Sequence, residues 1–222
     1  MSEVWKNPDY VKRYNNVYGI TEEQLDRYMA PLKLEAGDAL VEFGCGNGEA
    51  LARALDVVEM AAGVDISKDQ LEQARKKLAG KKNVLLLESS FLHCRKLLAG
   101  HLFTKAMSRK ALHHLTDSEK PVFVESAAPL FKKGAIFVLE DGIFDFDKSL
   151  LNEKLPQIIE EAKIYYGDSW AKIEKDFMIT VLEEFMTDYP TWESAFKGGG
   201  FELIDRKAYS MFYGMMAFKK IR

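Results

Sequence analysis

Short runs of strand-forming residues alternate with longer helical stretches from Asp38 onward, and this alternation restricts the possible folds more than any other feature of the sequence. The runs that predict strands cover residues 39–43, 61–66, 83–88, 103–108 and 135–140. Strands separated by helices pair in parallel, because each crossover helix carries the chain back to the start of the next strand. The sequence therefore predicts an α/β fold built on a parallel sheet.

Capping signals mark the helix that follows the second strand. Ser67 and Gln70 have the spacing of a capping box, in which each side chain bonds the backbone of the other residue. Gly80 stands where a C-terminal glycine cap is expected. The sequence therefore predicts a helix between these signals.

A second pair with capping spacing lies further along the chain. Thr116 and Glu119 predict the start of a helix that runs toward Lys133. Pro121 then lies near the first turn, where its missing backbone N–H costs little.

Composition changes along the chain suggest four parts. We expect an N-terminal helical lid at 1–34, an α/β core at 35–147 and a helical cap inserted at 148–193. The cap holds five lysines against ten Asp or Glu, which gives it a net charge of −5. Residues 194–222 alternate about a possible turn, so we expect two antiparallel strands that complete the sheet.

Charge and cysteine content exclude several classes of protein. The net charge of −3 provides no broad basic field, which disfavours a nucleic-acid partner. The N-terminal residues lack the apolar core of a signal peptide and no apolar run has the length of a bilayer span, so we expect a cytoplasmic protein without a membrane partner. Cys45 and Cys94 are too few for a disulfide framework or a thiolate zinc site. With no H-E-x-x-H motif and no close Asp/His cluster in the sequence, we expect no metal site.

Three alternate glycines follow the first predicted strand. Gly44, Gly46 and Gly48 lie between that strand and a helix. A dinucleotide site needs the spacing G-x-G-x-x-G, in which backbone N–H groups at the helix start meet a pyrophosphate. Here Glu49 would face that anion unfavourably, so a dinucleotide-dependent oxidoreductase is disfavoured.

With Glu42, these glycines form the pattern E/D-x-G-x-G-x-G, and in this the chain resembles class I S-adenosylmethionine-dependent methyltransferases of the small-molecule type. The resemblance implies a doubly wound, Rossmann-like, seven-stranded mixed sheet that binds S-adenosylmethionine. It also implies that Glu42 acts on the methionine ammonium through water or backbone contacts. Glycines allow the loop, Cys45 included, to pass close to the ligand with its backbone groups free to bond it.

The next two strands carry the residues that the resemblance assigns to the nucleoside. Asp65 ends the second strand and is implied to bind both ribose hydroxyls, with Ile66 packed on the adenine; a helix N-cap is the alternative role for Asp65. Ser90 stands where the family usually has Asp near the adenine amine, so here the chain departs from the pattern. Its hydroxyl can still bond adenine, and Phe91 can cover the ring.

The fourth strand leads into a segment that resembles the family's S-x-x-A-L-H-H-L motif. By that resemblance Ser108 and Arg109 contact the donor through their backbone near the sulfonium. His113 and His114 are adjacent, so their side chains point in different directions and only one can approach the pocket. Either could act as a general base for the acceptor, and the structural alternative is that a histidine caps or fills the following helix.

Aromatic residues near the N-terminus and in the cap indicate where an acceptor would bind. Trp5, Tyr10, Tyr14 and Tyr18 have roughly helical spacing and form one stripe. In similar proteins an N-terminal helix closes over the donor, which implies that Tyr14 reaches the methionine carboxylate. In these relatives the lid and the cap together form the acceptor pocket.

We therefore expect methyl transfer from S-adenosylmethionine to a small molecule, because the acidic cap would repel a polyanion such as tRNA. Two alternatives remain open at this point. The order of residues in the cap also resembles carboxy-S-adenosylmethionine synthases, in which Arg109 would pair with a carboxylated donor. A noncatalytic S-adenosylmethionine-binding protein would keep the same glycine loop.

Overall fold

The strands of the computed structural model form one large sheet and one two-stranded ribbon; the structure describes Trp5 and residues 7–222, apart from the side chains of Tyr14 and Asn16. The strands are β1 (Ala39–Phe43), β2 (Met60–Asp65), β3 (Val84–Glu88), β4 (Phe103–Arg109), β5 (Phe131–Asp141), β6 (Ile143–Phe144), β7 (Thr187–Asp188), β8 (Phe201–Ser210) and β9 (Tyr213–Lys220). The large sheet has the order β3-β2-β1-β4-β5-β9-β8, and β6 pairs with β7 in the ribbon.

Helices connect these strands on both faces of the sheet. They are α1 (Pro8–Tyr18), α2 (Glu22–Met29), α3 (Glu49–Ala54), α4 (Lys68–Lys77), α5 (Cys94–Leu97), α6 (Glu119–Ala127), α7 (Leu151–Tyr166), α8 (Trp170–Leu182) and α9 (Tyr189–Gly198). Strands β1 to β5 pair in parallel, whereas β9 runs antiparallel to both β5 and β8. The predicted doubly wound, seven-stranded mixed sheet is confirmed.

Strand register brings the ends of β1, β2 and β4 to one edge of the sheet. Phe43 at the end of β1 pairs with Val64 of β2 on one side and with Ser108 of β4 on the other. The strand order reverses at β1, because β2 and β4 extend from it in opposite directions. A crevice opens at such a switch point, at the carboxyl ends of the strands, and ligands of open α/β sheets bind there.

Alternate residues of β1 supply two separate cores. Val41 and Phe43 lie with Phe123 of α6 and Trp192 of α9 on one face, and Leu40 lies with residues of α2 and α3 on the other. This is the two-residue period of a strand buried on both sides. Burying one such large apolar side chain contributes about 1.5–3 kcal/mol, so the two cores hold in place the strand whose end borders the crevice.

The helix capped by Ser67 is confirmed, whereas the helix predicted toward Lys133 ends early. Ser67 Oγ accepts the backbone N–H of Gln70 at 3.4 Å, and α4 follows. Helix α6 ends at Ala127, and after one 3₁₀ turn β5 begins at Phe131. The proline of that turn, Pro129, has no N–H to donate, so the α-helical hydrogen-bond pattern cannot continue through it.

The cap consists of α7 and α8, which pack together and on the turn between β8 and β9. Their shared apolar cluster contains Phe144, Ile158, Ala162, Phe177, Val181, Met186, Phe212 and Tyr213. The expected limit of the cap at residue 193 falls inside α9, which packs on the sheet through fully buried Trp192 and Phe196. Helix α9 is therefore part of the core. None of the helices in the described part of the chain combines the length and apolarity that crossing a bilayer requires.

Candidate active site

The glycine loop crosses from the end of β1 over the end of β2. Gly44, Gly46 and Gly48 all have positive φ, at 77°, 50° and 78°. The N–H groups of Gly44 and Cys45 both donate to the carbonyl of Val64, at 2.8 and 3.2 Å. A Cβ on Gly44 would lie 2.3 Å from the Cβ of Ala111. Glycine is therefore required there both by the backbone conformation and by the close approach of the segment after β4.

Asp65 holds this loop in place from the end of β2. Its carboxylate accepts the N–H of Gly46 and the N–H of Ser67, each at 2.8 Å. Burial raises the pKa of Asp65, and the backbone hydrogen bonds oppose that shift. A carboxylate has about four lone-pair positions, so acceptor capacity remains on Asp65 for hydroxyl groups of a ligand.

Glu42 is a buried carboxylate with an unpaired oxygen. Its Oε2 accepts no hydrogen bond within the described part of the chain, although the residue is only 4% exposed. Burial raises the pKa of Glu42 well above its usual range; the nearby Asp65 carboxylate adds to the shift and Arg109 opposes it. An unpaired buried acceptor is costly, which favours a ligand that brings a donor or a positive charge.

These groups face a cavity of about 290 Å³ at the ends of β1, β2 and β4, which we call the first cavity. Eight of the predicted donor residues line it: Glu42, Gly44, Cys45, Gly46, Asp65, Ile66, Phe91 and Arg109. Residues that the sequence analysis did not assign to the donor line it too, among them Asn15, Tyr28, Asn47, Gln70, Lys110 and Ala111. Gln70 lies in the first turn of α4, shortly after Asp65, and this position could have indicated it, whereas Asn15 reaches the cavity because α1 docks there.

Three predicted donor residues lie outside the lining of the first cavity. Ser108 is fully buried, and its Oγ donates to the carbonyl of Phe43 at 2.8 Å. Gly48 packs against α4, where a Cβ would lie 3.1 Å from Ala74, and Ser90 bonds the ring of His93. Of these three, Ser90 is the one whose predicted donor group, its hydroxyl, is taken up by a structural contact. The side chain of Tyr14 is outside the described part of the structure.

A second cavity of about 170 Å³ adjoins the first. The residues that line both cavities are Trp5, Tyr18, Lys110 and His114. Among the described residues, five of the twelve others that line it are aromatic, and they come from α1, the cap, the β8–β9 turn and β9: Tyr10, Tyr166, Phe177, Phe212 and Tyr213. The two cavities therefore lie side by side and share a wall, which we call their junction, and polar residues belong to it.

His113 is held between two carboxylates at the floor of the second cavity. Its Nδ1 lies 2.5 Å from Asp141 and its Nε2 lies 3.4 Å from Glu184. Burial disfavours the charged ring, but the two carboxylates outweigh it and raise the pKa of His113 to about 10. A ring that is already protonated at neutral pH does not accept a further proton, so the geometry disfavours His113 as a general base.

His114 lines both cavities, and its pKa is shifted in the opposite direction to that of His113. Burial and the neighbouring charge of His113 lower the pKa of His114 below its usual range. Its Nε2 accepts the indole N–H of Trp5 at 3.3 Å, and its Nδ1 lies 3.5 Å from Glu184. Both ring nitrogens of His114 thus contact other residues of the protein, and the ring forms part of the wall of both cavities.

The sequence showed no close Asp/His cluster, and the structure corrects this. His113, His114 and Glu184 place ligand atoms within 4.8 Å of one another, and Asp141 touches the same group. The two carboxylates come from β5 and from the end of the cap, so linear spacing did not reveal them. The protonated ring of His113 between its two carboxylates accounts for the arrangement as a charged hydrogen-bond network.

Arg109 is also engaged by the protein. Its Nε donates to Glu140 at 3.1 Å, and Arg27 and Tyr213 bond the same carboxylate oxygen at 3.3 and 2.8 Å. Glu140 is fully buried, so this charge-assisted group joins α2, β4, β5 and β9 beneath the first cavity. The guanidinium of Arg109 therefore shares a buried counter-charge with Arg27.

Comparison with known proteins shows the family to which this chain belongs. Residues 34–198 match the model of a methyltransferase domain. An uncharacterized methyltransferase of Geobacillus sp. (strain WCH70) is 25% identical over 211 residues, which cover 95% of this chain and 90% of that protein.

Solved structures agree in fold. Magnesium protoporphyrin IX methyltransferase of Synechocystis PCC 6803, with S-adenosylhomocysteine bound, aligns with a TM-score of 0.69 at 14% identity over 98% of this chain and 97% of that one. A mycolic acid cyclopropane synthase, also complexed with S-adenosylhomocysteine, aligns with a TM-score of 0.62 at 18% identity over 83% of this chain and 62% of that one. The chain belongs to the methyltransferase-domain family and is a class I S-adenosylmethionine-dependent methyltransferase.

Proposed function

We propose that this enzyme transfers a methyl group from S-adenosylmethionine, bound in the first cavity, to a small molecule bound in the second. The observation that supports the proposal is that the two cavities are neighbours and share Trp5, Tyr18, Lys110 and His114 as lining residues. The second cavity is bordered by the cap and α1, and its size suits a small molecule rather than a segment of a polymer.

The residues of the first cavity fit the proposed donor. Unpaired Glu42 Oε2 offers the negative charge that a methionine ammonium needs, and Asp65 retains acceptor capacity for the ribose hydroxyls. Ile66 and Phe91 line the cavity beyond Asp65 and supply apolar contact for a base. S-adenosylmethionine, when bound, supplies a methyl group activated by its sulfonium.

The protein contributes alignment and the exclusion of water. The glycine loop and Asp65 fix the donor side, and the aromatic walls of the second cavity fix the plane of the acceptor. Holding two reactants in line can contribute about 7–11 kcal/mol to lowering the barrier. This is why a methyltransferase can work with few reacting side chains.

The two alternatives from the sequence have less structural support. A carboxylated donor needs a cation, and Arg109, which was expected to supply it, is bonded to Glu140. A noncatalytic binding protein has no need for a second cavity with aromatic residues in its wall beside the donor cavity.

The test is calorimetric titration with S-adenosylmethionine, S-adenosylhomocysteine and NAD, followed by mass spectrometry of any ligand that copurifies. We expect both adenosyl ligands to bind and NAD not to. Asp65→Ala should abolish adenosyl-ligand binding, and exposed Asp205→Ala is the matched control. Unchanged affinity in Asp65→Ala would contradict the donor site, and a carboxylated ligand in the mass spectrum would favour the alternative donor.

A further inference from the structure

Lys110, immediately after β4, has a backbone conformation that L-residues rarely adopt. Its φ is +49°, and in the described part of the chain the only other non-glycine residue with positive φ is Lys33. Such backbone costs about 1–2 kcal/mol, and it persists where surrounding contacts impose it, often at functional positions. Here the N–H of Lys110 donates to the carbonyl of Glu140 at 2.9 Å, and this bond holds Lys110 beside the end of β5.

This backbone places the Lys110 side chain at the junction of the two cavities, both of which it lines. Its Nζ lies 5.7 Å from the centre of the Tyr18 ring and 5.5 Å from that of Tyr213. No carboxylate among the described residues forms an ion pair with it; the nearby carboxylates of Glu140 and Asp141 are bonded to Arg109 and His113.

Some of the charged groups around Lys110 raise its pKa and others lower it. They come from α1, α2, β4, the turn after β4, β5, the cap and β9: Tyr18, Arg27, Arg109, His113, His114, Glu140, Asp141, Glu184 and Tyr213. Burial first, and then the charge of Arg109, lower the pKa of Lys110 to about 7, although Glu140 and Asp141 oppose them. At neutral pH the amine can therefore both accept and release a proton.

The other charged groups of the second cavity are already paired. Glu184 faces the rings of His113 and His114, and Asp176 accepts bonds from Arg13 and Tyr18. Lys110 is thus the group in this cavity that still requires a partner, and that partner is an acid. A cationic amine acceptor would meet the Lys110 ammonium and the donor sulfonium, both of the same sign.

The walls of the second cavity select the shape of the acceptor. The Tyr166 and Phe212 rings lie 6.3 Å apart with an angle of 19° between their planes, and Phe177 meets Phe212 edge-on at 4.9 Å. Aromatic walls of this kind favour a flat, conjugated ligand.

We propose that Lys110 is a catalytic residue that takes the proton of an acidic hydroxyl on a planar aromatic acceptor, so that the enzyme is an O-methyltransferase of phenol-like compounds. This rests on the proposed function of the two cavities. The hydroxyl O–H bond breaks and its proton moves to the neutral amine of Lys110. The oxygen then bonds the methyl carbon as the carbon–sulfur bond breaks, and that bond's electron pair stays on sulfur. Lys110 afterwards returns its proton to solvent.

The test uses 4-nitrophenol, whose phenolate absorbs visible light and whose phenol form does not. Each protein is saturated with S-adenosylhomocysteine and titrated with the probe across neutral pH. In the wild type we expect the bound probe to ionise at lower pH than the free probe. A charge-assisted contact is worth about 1.5–3 kcal/mol, so Lys110→Met should weaken phenolate binding by about tenfold or more and remove the shift. Lys132→Met, on an exposed part of β5, is the matched control.

Two further variants separate the chemistry from folding. Lys110→Gly relieves the positive φ, so it should unfold no more easily than the wild type while losing the shift in probe ionisation. Lys110→Arg keeps the cation but does not deprotonate near neutral pH, so it should hold phenolate without taking up the phenol proton.

The outcomes distinguish this proposal from the one on which it rests. If S-adenosylhomocysteine does not bind the wild type, the proposed donor site fails. If it binds but 4-nitrophenol does not, or binds wild type and Lys110→Met alike, the proposal for Lys110 alone is overturned. Binding of 4-nitroaniline as tight as that of 4-nitrophenol would assign the cavity to amine acceptors and overturn it as well.

Discussion

At the scale of single residues, Gly44 and Glu42 of the first cavity have opposite effects on the stability of the fold. Gly44 is required by the fold, because its positive φ and the contact with Ala111 leave no space for a side chain. Glu42 is unfavourable for the fold, because it is a buried carboxylate with an unpaired oxygen. Substituting them should therefore change stability in opposite directions.

Gly44→Ala should lower the free energy of unfolding by about 2–5 kcal/mol, the sum of about 1–2 for the positive φ and about 1–3 for overpacking. Gly100→Ala is the matched control, since Gly100 has φ +91° but no atom within 4 Å of the added Cβ. It should lose only about 1–2 kcal/mol. Adding Ala111→Gly to Gly44→Ala should recover part of the loss, and chemical denaturation measures all three.

Glu42→Gln should stabilise the ligand-free protein at neutral pH and weaken donor binding. The raised pKa of Glu42 means that its ionisation opposes folding above the ordinary pKa of a Glu, and an amide of the same shape removes that cost. Loss of a charge-assisted bond predicts an affinity for S-adenosylmethionine lower by about 10–100-fold. Thermal unfolding and calorimetry, with exposed Glu23→Gln as control, would contradict us if affinity stayed the same.

At the scale of elements, α1 borders the first cavity through Asn15 and Tyr18. The side-chain amides of Asn15 and Gln70 bond each other reciprocally, both at 3.0 Å, and so join α1 to α4. Arg13 joins the same helix to the cap through Asp176. Asn15 also donates to Gln73 and Tyr18 to Asp176, so polar contacts contribute to the docking of α1.

Asn15→Ala should loosen α1 and speed donor release. Losing bonds of about 0.5–1.5 kcal/mol each predicts an affinity for S-adenosylhomocysteine lower by about 3–10-fold. Limited proteolysis should cut Asn15→Ala within α1 faster than the wild type, and the ligand should protect both proteins. Asn152→Ala, exposed on α7, is the control, and equal cleavage rates would show that α1 is held by other means.

At the scale of the whole molecule, the network of His113, Asp141 and Glu184 connects the sheet to the cap. Asp141 belongs to β5 and Glu184 follows α8, so the protonated ring of His113 joins the two. Its stabilising effect depends on protonation. Because the folded pKa is raised to about 10 from 6.5, the stabilisation is complete below pH 6.5 and is lost as pH rises toward 10.

His113→Asn should remove this dependence while its side-chain N–H can still donate to Asp141. The difference in unfolding free energy between wild type and variant should shrink as pH rises from 6.5 toward 10, with a slope approaching about 1.4 kcal/mol per pH unit, the limit for one proton. Using the difference cancels other titrating groups such as Lys110. His93→Asn on the surface is the control, and a difference that stays constant with pH would contradict the charged state of His113.

The parts of the site that sequence predicts are those encoded by local spacing. Gly44, Gly46 and Asp65 are close in the chain, and the strand ends that carry them meet in any parallel sheet. The contact of Glu184 with His113 was not predictable in this way, because it depends on how the cap packs. Lys110 was not predicted, because the family motif assigns Ser108 and Arg109 to the donor. The positive φ of a lysine also cannot be recognised from its sequence.

The distribution of the three tryptophans gives this protein a built-in set of optical probes. Trp5 lies at the junction of the two cavities and bonds His114, Trp170 begins the second helix of the cap, and Trp192 is fully buried in the core. Replacing two of them at a time with phenylalanine leaves a fluorophore that reports on ligand occupancy, cap movement or global unfolding separately. Ligand binding, cap movement and unfolding can thus be timed one by one, whereas an activity assay combines them in a single rate.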